Sequence, residues 1–216
     1  QERTRLNSCR QTTMLNKTYV SLLLVLLIAV AGLTSCVAQK SDSQSTTADI
    51  PRIPFEKYTL PNGLDVILSR DQRIPMVAVN LWYHVGPANE EPGRTGFAHL
   101  FEHMMFKATA NMPNEKMDRL TEDVGGFNNA STWPDYTNYY EVVPANNLQR
   151  ILWAEAERMG GLVVNNETFQ SERDVVKEEL RQRVLASPYG PLFYMYLNQA
   201  NYTVHPYGRP GIGSIE

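Results

Sequence analysis

The chain has 216 residues, of which 43% are hydrophobic, 20 are Lys or Arg and 23 are Asp or Glu, for a formal net charge of −3. Four basic groups and one acidic group precede Cys36, so the remainder carries −6 and offers no electrostatic footprint for nucleic acid. The two cysteines are Cys9 and Cys36, which leaves everything from Val37 onward without a thiol and excludes a disulfide or a cysteine metal site there.

The first fifty residues read as targeting sequence rather than fold. Met14 is the expected start, with residues 1–13 upstream of it. After Lys17 an apolar run over residues 20–33 is broken only by Ser21 and Gly32. It is too short to span a bilayer comfortably and suits the apolar segment of a signal peptide. The run closes on Leu33-Thr34-Ser35-Cys36, which resembles a bacterial lipobox. An ordinary secretory signal would leave Cys36 unexplained. Residues 14–35 are therefore expected to be removed and Cys36 to carry lipid, anchoring the protein to a membrane on the periplasmic side of a bacterial cell envelope. Residues 36–53, rich in Ser, Thr, Gln and Asp, read as a tether.

From residue 54 to 216 about 160 residues remain, enough for one domain with a real core. Residues 58–60 and 64–68 flank Pro61-Asn62-Gly63 and predict a β-hairpin, with Asn-Gly supplying the positive φ of the turn. Val77, Val79, Leu81 and Tyr83 alternate with Ala78, Asn80 and Trp82, the pattern of a half-buried strand. A polar Gly/Pro loop over residues 86–96 leads into a helix carrying His99. Pro113-Asn114 predicts a second helix reaching Val124, with Met117 and Leu120 inward and Gly125-Gly126 stopping it. Two strands follow, over 127–133 and 136–143, around Pro134-Asp135. Helices are predicted over 146–159 and 166–186. This order gives an α+β fold, an antiparallel or mixed sheet packed with helices. Trp133, Tyr136, Tyr139 and Tyr140 are assigned to core and sheet surface. His84 and His205 have no partner at ligand spacing and are assigned structural roles.

The densest chemistry lies at His99-Leu100-Phe101-Glu102-His103. Residues four apart on a helix stand one above the other, so both imidazoles can face one ion. Glu102 can reach a water beside that ion. Two imidazoles with a carboxylate that is not itself a ligand is what metal-assisted peptide hydrolysis requires. The order H-x-x-E-H marks the inverzincins, the reverse of the commoner H-E-x-x-H. Further on, Glu172 and Glu179 are seven apart, two turns along one face of the 166–186 helix. Taken by themselves they read as solvated surface charges, as most helical Glu are.

FAHLFEHMMF, GGFNNASTW-DYTNYY and ERDVVKEEL, in that order, resemble the pitrilysin/insulinase-like zinc metallopeptidases. The resemblance runs over residues 60–215 and implies the metallopeptidase domain fold of the pitrilysin/processing-peptidase type. That family takes its third zinc ligand from a Glu in an E-x6-E helix. The resemblance therefore implies Glu179, 76 residues after His103, as third ligand and Glu172 as the carboxylate that orients the site. Glu178 should point about 100° away from the Glu172 face. The family's Gly-Gly-x-x-Asn-Ala segment forms a strand edge that receives extended substrate, which implies Asn129 as a substrate contact. One Zn2+ with three protein ligands and an open fourth position is implied, with Glu102 as general base.

The implied activity is that of a zinc metalloendopeptidase acting on peptides or unfolded polypeptides. The implied partner is a second homologous half, in the same chain or in another subunit, that closes a chamber. Two rivals are a catalytically idle partner subunit and a zinc-containing scaffold; the full set His99, His103, Glu179 and Glu102 disfavours the first. Residues 201–216 resemble a loop from the middle of the family's domain, so the chain is expected to be the N-terminal part of that domain and weakly active alone.

Overall fold

A computed structural model describes residues 52–214. Met14, the apolar run and Cys36 lie outside the described residues. Among those described, no helix is long and apolar enough to cross a membrane. The chain divides into two compact units, one through Arg70 and one from Asp71.

The first unit holds the hairpin. Strands β1 (Glu56–Thr59) and β2 (Asp65–Leu68) pair antiparallel, with Glu56 opposite Leu68 and Thr59 opposite Asp65. The turn closes through the N–H of Leu60 to the carbonyl of Leu64 at 2.8 Å. Gly63 takes φ +89°, a conformation that a Cβ disfavours.

The second unit is built on a three-stranded antiparallel sheet, β3 (Met76–Tyr83), β4 (Phe127–Trp133) and β5 (Tyr136–Pro144), in the order β3-β5-β4. The alternation predicted for β3 holds: Val77, Val79, Leu81 and Tyr83 point inward, while Ala78, Asn80 and Trp82 are exposed. Among the described residues the sheet is accompanied by α1 (Phe97–Met104), α2 (Lys116–Glu122), α3 (Leu148–Gly161) and α4 (Asn166–Glu179), with a short α5 (Leu197–Asn201) further along the chain. The core gathers Val79, Val143, Met112, Met117, Leu120, Ile151 and Ala154 from sheet, α2, α3 and the loop before α2. Trp133 is exposed and Tyr139 buried, so the aromatic run divides between surface and core as expected.

Two boundaries differ from the sequence reading. Helix α2 begins at Lys116 rather than at Pro113, because Glu115 before it takes a left-handed φ of +62° and breaks the helical path. Helix α4 stops being α-helical at Glu179 and continues as a π-helix, Leu180–Leu185. Its start is set by Asn165, whose side chain accepts from the N–H of Thr168 at 2.9 Å. Val176, Leu180 and Val184 are buried on its packed face, but Val175 is exposed. It lies one residue from Val176, about 100° round the helix, and so falls off the packed face.

A buried ionic cluster, which the sequence reading did not single out, lies between β5 and α3. Arg158 is 1% exposed and donates to Glu141 at 2.8 Å and to Glu155. Its guanidinium sits 4.5 Å from the centroid of Tyr139 and 5.5 Å from that of Phe106. One cation thus serves two buried carboxylates. Burial, and after it the hydrogen bond and negative charge of Glu155, pushes the Glu141 carboxyl far above its ordinary 4.5. In the unfolded chain Glu141 ionises near 4.5, whereas in the folded chain it keeps its proton, so the folded state binds more protons above that pH. This group's contribution is fully present below 4.5 and is lost progressively as pH rises above that value toward the raised pKa of the folded state. Glu141→Gln removes that titration. Thermal unfolding at pH 5 and pH 8 should show the variant gaining on the native protein as pH rises; a difference independent of pH would contradict a protonated Glu141.

Candidate metal centre

Helix α1 presents the centre, and its start is held by an acid from the preceding loop. Glu90 accepts from the N–H of Gly96 at 2.9 Å and of Ala98 at 2.7 Å, which satisfies free donors at the helix N-terminus. Gly96 itself sits at φ +96°, and a Cβ there would lie 3.0 Å from Gly213, so glycine is required on both counts. Leu100 and Met104 are buried, which fixes the rotation of α1 and turns His99 and His103 toward α4.

On α4, Glu172 and Glu179 share the face opposite the two histidines. Nε2 of His99 lies 3.6 Å, and Nε2 of His103 3.3 Å, from Oε2 of Glu179. Tetrahedral zinc with ligand bonds of about 2.0–2.1 Å holds its ligand atoms about 3.4 Å apart. Both distances agree with that edge. Oε2 of Glu179 is buried and accepts no hydrogen bond, while its other oxygen accepts from Arg183 at 2.6 Å. An unpartnered buried carboxylate oxygen facing two imidazole nitrogens is costly as it stands and fits a shared cation. Burial, and after it the neighbouring His103, holds the His99 imidazole well below its ordinary 6.5, in the neutral form a metal needs. His99, His103 and Glu179 are the candidate ligands that the described residues bring together.

Glu172 is 5% exposed, with Oε2 3.9 Å from Nδ1 of His103 and Oε1 2.9 Å from Nζ of Lys107. It lies on the side of His103 away from Glu179. Glu178 does not compete: its side chain is 52% exposed and pairs with Arg181 and Gln182. Glu102 opens into the same cleft of about 840 Å³ as the three candidate ligands. Burial raises its carboxyl above 4.5, opposed by a hydrogen bond donated by the hydroxyl of Thr132 on β4. That upward shift suits a general base.

Asn129 lines the cleft from β4, which pairs on one side with β5 and has no strand on its other side among those described. Its Oδ1 accepts from the N–H of Ala130 at 2.8 Å, so the side chain is occupied locally and the outer backbone edge is what β4 offers. His205 caps a short turn, its Nδ1 accepting from the N–H of Tyr207 at 3.3 Å. His84 is exposed, a surface residue rather than the satisfied structural histidine expected, because β3 ends just before it at Tyr83. Sequence reasoning missed Thr132, Lys107, Arg183 and Glu90. Arg183 carried a signal, standing four residues after Glu179, one helical turn on.

Residues 65–214 match the insulinase family, peptidase family M16. The chain belongs to this family. It is 38% identical over 162 residues to the zinc protease PqqE of Helicobacter pylori, an alignment covering 74% of the chain and 36% of that protein. It is 30% identical to a probable mitochondrial-processing peptidase subunit beta of Arabidopsis thaliana, covering 73% of the chain and 29% of that subunit. The fold matches the crystal structure of a Helicobacter pylori protease with a TM-score of 0.72 and 37% identity, over 75% of the chain and 39% of that structure. The matched region thus spans between 29% and 39% of the length of these relatives. The α+β fold expected from the sequence is that of an M16 peptidase domain.

Proposed function

We propose that this M16 chain supplies the catalytic zinc half of a metalloendopeptidase that hydrolyses peptides or unfolded polypeptides. The observation that carries the reading is the meeting of His99, His103 and Glu179 around one unpartnered carboxylate oxygen, with Glu102 in the same cleft. His99, His103 and Glu179 would hold one zinc and leave a fourth position open. Zinc there supplies Lewis-acid polarisation and makes a water acidic enough to serve as a nucleophile near neutral pH. Glu102 takes the proton from the attacking water and delivers it to the leaving amine. Thr132 holds one oxygen of Glu102 and leaves the other for the proton. The outer edge of β4, which pairs with no strand among the described residues, together with Asn129 receives the peptide as an added strand and aligns its carbonyl with the site.

The cleft is open and the relatives extend well beyond the matched region, which favours a second homologous half closing over the substrate. Without it water surrounds the centre, and the positioning and fixed donors that lower the barrier are missing. Zinc content measured alongside hydrolysis of a quenched peptide tests the reading. About one zinc per chain with chelator-sensitive cleavage supports it. Zinc without turnover, even when a second half is present, would make the protein a scaffold, and absence of zinc would make it an idle partner.

The location proposed is the periplasmic side of a bacterial envelope, with lipid on Cys36, supported by the apolar run and the Leu-Thr-Ser-Cys that ends it. Cys36→Ser should leave an uncleaved precursor or release the protein from the membrane fraction. Mass spectrometry of the mature N-terminus is the direct check, and an unmodified terminus downstream of Cys36 would remove the anchor.

A further inference from the structure

Lys107 stands in none of the roles discussed so far, yet it touches the least exposed acid of the centre. Its Nζ lies 2.9 Å from Oε1 of Glu172, whose side chain is 6% exposed. Lys107 itself is 29% exposed at the side chain, so the pair is largely shielded from water. Among the described residues, the other charge-bearing group within ion-pair distance of Glu172 is His103, with Nδ1 3.9 Å from Oε2. The His103 ring therefore lies between two carboxylates, its Nε2 toward Glu179 and its Nδ1 toward Glu172. Lys107 is in the turn that follows α1, its N–H donating to the carbonyl of Met104 at 3.0 Å. The segment that carries the histidines thus also carries the cation that holds Glu172.

We propose that Lys107 is a positioning residue for the metal centre, acting on His103 through Glu172. By holding Oε1, Lys107 orients Oε2 toward Nδ1 of His103. At 3.9 Å this is an electrostatic contact, and the negative charge beyond Nδ1 favours the tautomer with its proton there, leaving the Nε2 lone pair facing the metal. A ligating histidine whose far nitrogen donates to a carboxylate is a better ligand, and loss of such support typically weakens metal binding about 10–100-fold. Lys107 also keeps the shielded carboxylate compensated, since an acid deprived of its cation in such a place is strongly unfavourable.

The test is the zinc dissociation constant, measured by competition with a chromophoric chelator on the full chain. It rests on His103 being a zinc ligand, and native protein that fails to bind zinc would overturn that reading before this one is reached. With native binding in hand, Lys107→Met should weaken zinc about 10–100-fold, as Glu172→Gln should, and Lys107→Arg should restore most of the loss. If Lys107→Met fails to fold, the same change is made in the Glu172→Gln background, where no stranded charge remains. There it should alter affinity by less than about threefold, because groups acting through one another are not additive. A second readout is the nitrogen NMR signature of the His103 tautomer, which should move in Lys107→Met and return in Lys107→Arg. Native-like zinc affinity in Lys107→Met, or a further tenfold loss in the Glu172→Gln background, would overturn the proposal.

Discussion

Glu102→Gln is expected to leave zinc content unchanged while lowering turnover of a quenched peptide about 10²–10⁴-fold, the range for loss of a general base. Gln preserves the shape of the side chain and can still accept from Thr132, so the site should remain assembled. What it cannot do is take a proton from water and return it to the leaving amine. The loss should fall on kcat, because the substrate edge on β4 and the three candidate ligands are untouched. Elemental analysis settles the role: a metal-free Glu102→Gln protein would mean that Glu102 is itself a ligand.

His99→Ala, His103→Ala and Glu179→Ala should each strip zinc and abolish activity outright, a more complete failure than Glu102→Gln. A site with three protein ligands has no spare donor, and each truncation removes one corner of the triangle set by the 3.3 and 3.6 Å separations. Glu179→Ala also releases Arg183, which donates to Oε1 of Glu179, and leaves that cation beside the two histidines. Thermal unfolding with and without added zinc separates loss of ligation from loss of fold. The native protein should be stabilised by zinc, and the three variants should not respond. A zinc-dependent rise in any of them would mean that the donor in question is not a ligand.

Several elements were legible because their local signals were strong. Asn-Gly placed the hairpin turn, the alternation from Val77 to Tyr83 placed β3, and Gly125-Gly126 stopped α2. The boundaries that moved did so where backbone conformation departs from pattern. Glu115 takes positive φ, and the turns after Glu179 widen into a π-helix, a change that side-chain periodicity does not report. The buried Glu141–Arg158–Glu155 cluster was illegible for a related reason. Charged residues read as surface until packing shows a strand and a helix closing over them.

By itself the sequence determined the His99–Glu102–His103 spacing, because one helical period suffices to put those groups on one face, and it determined the two-turn spacing of Glu172 and Glu179. It did not determine from spacing alone that the two helices meet, and until they do Glu172 and Glu179 are ordinary helical acids. The tertiary structure decided that, by burying Leu100 and Met104 on one helix and Val176 and Leu180 on the other, so that the polar faces are turned toward each other. It also decided the supports: Thr132 on Glu102, Arg183 on Glu179 and Lys107 on Glu172. Each is a contact between single polar atoms. Thr132 reaches Glu102 from a distant strand and Lys107 reaches Glu172 from the turn after α1, placements that follow from packing and that no local pattern encodes. Arg183 is a turn from Glu179, but spacing alone does not say which oxygen it occupies.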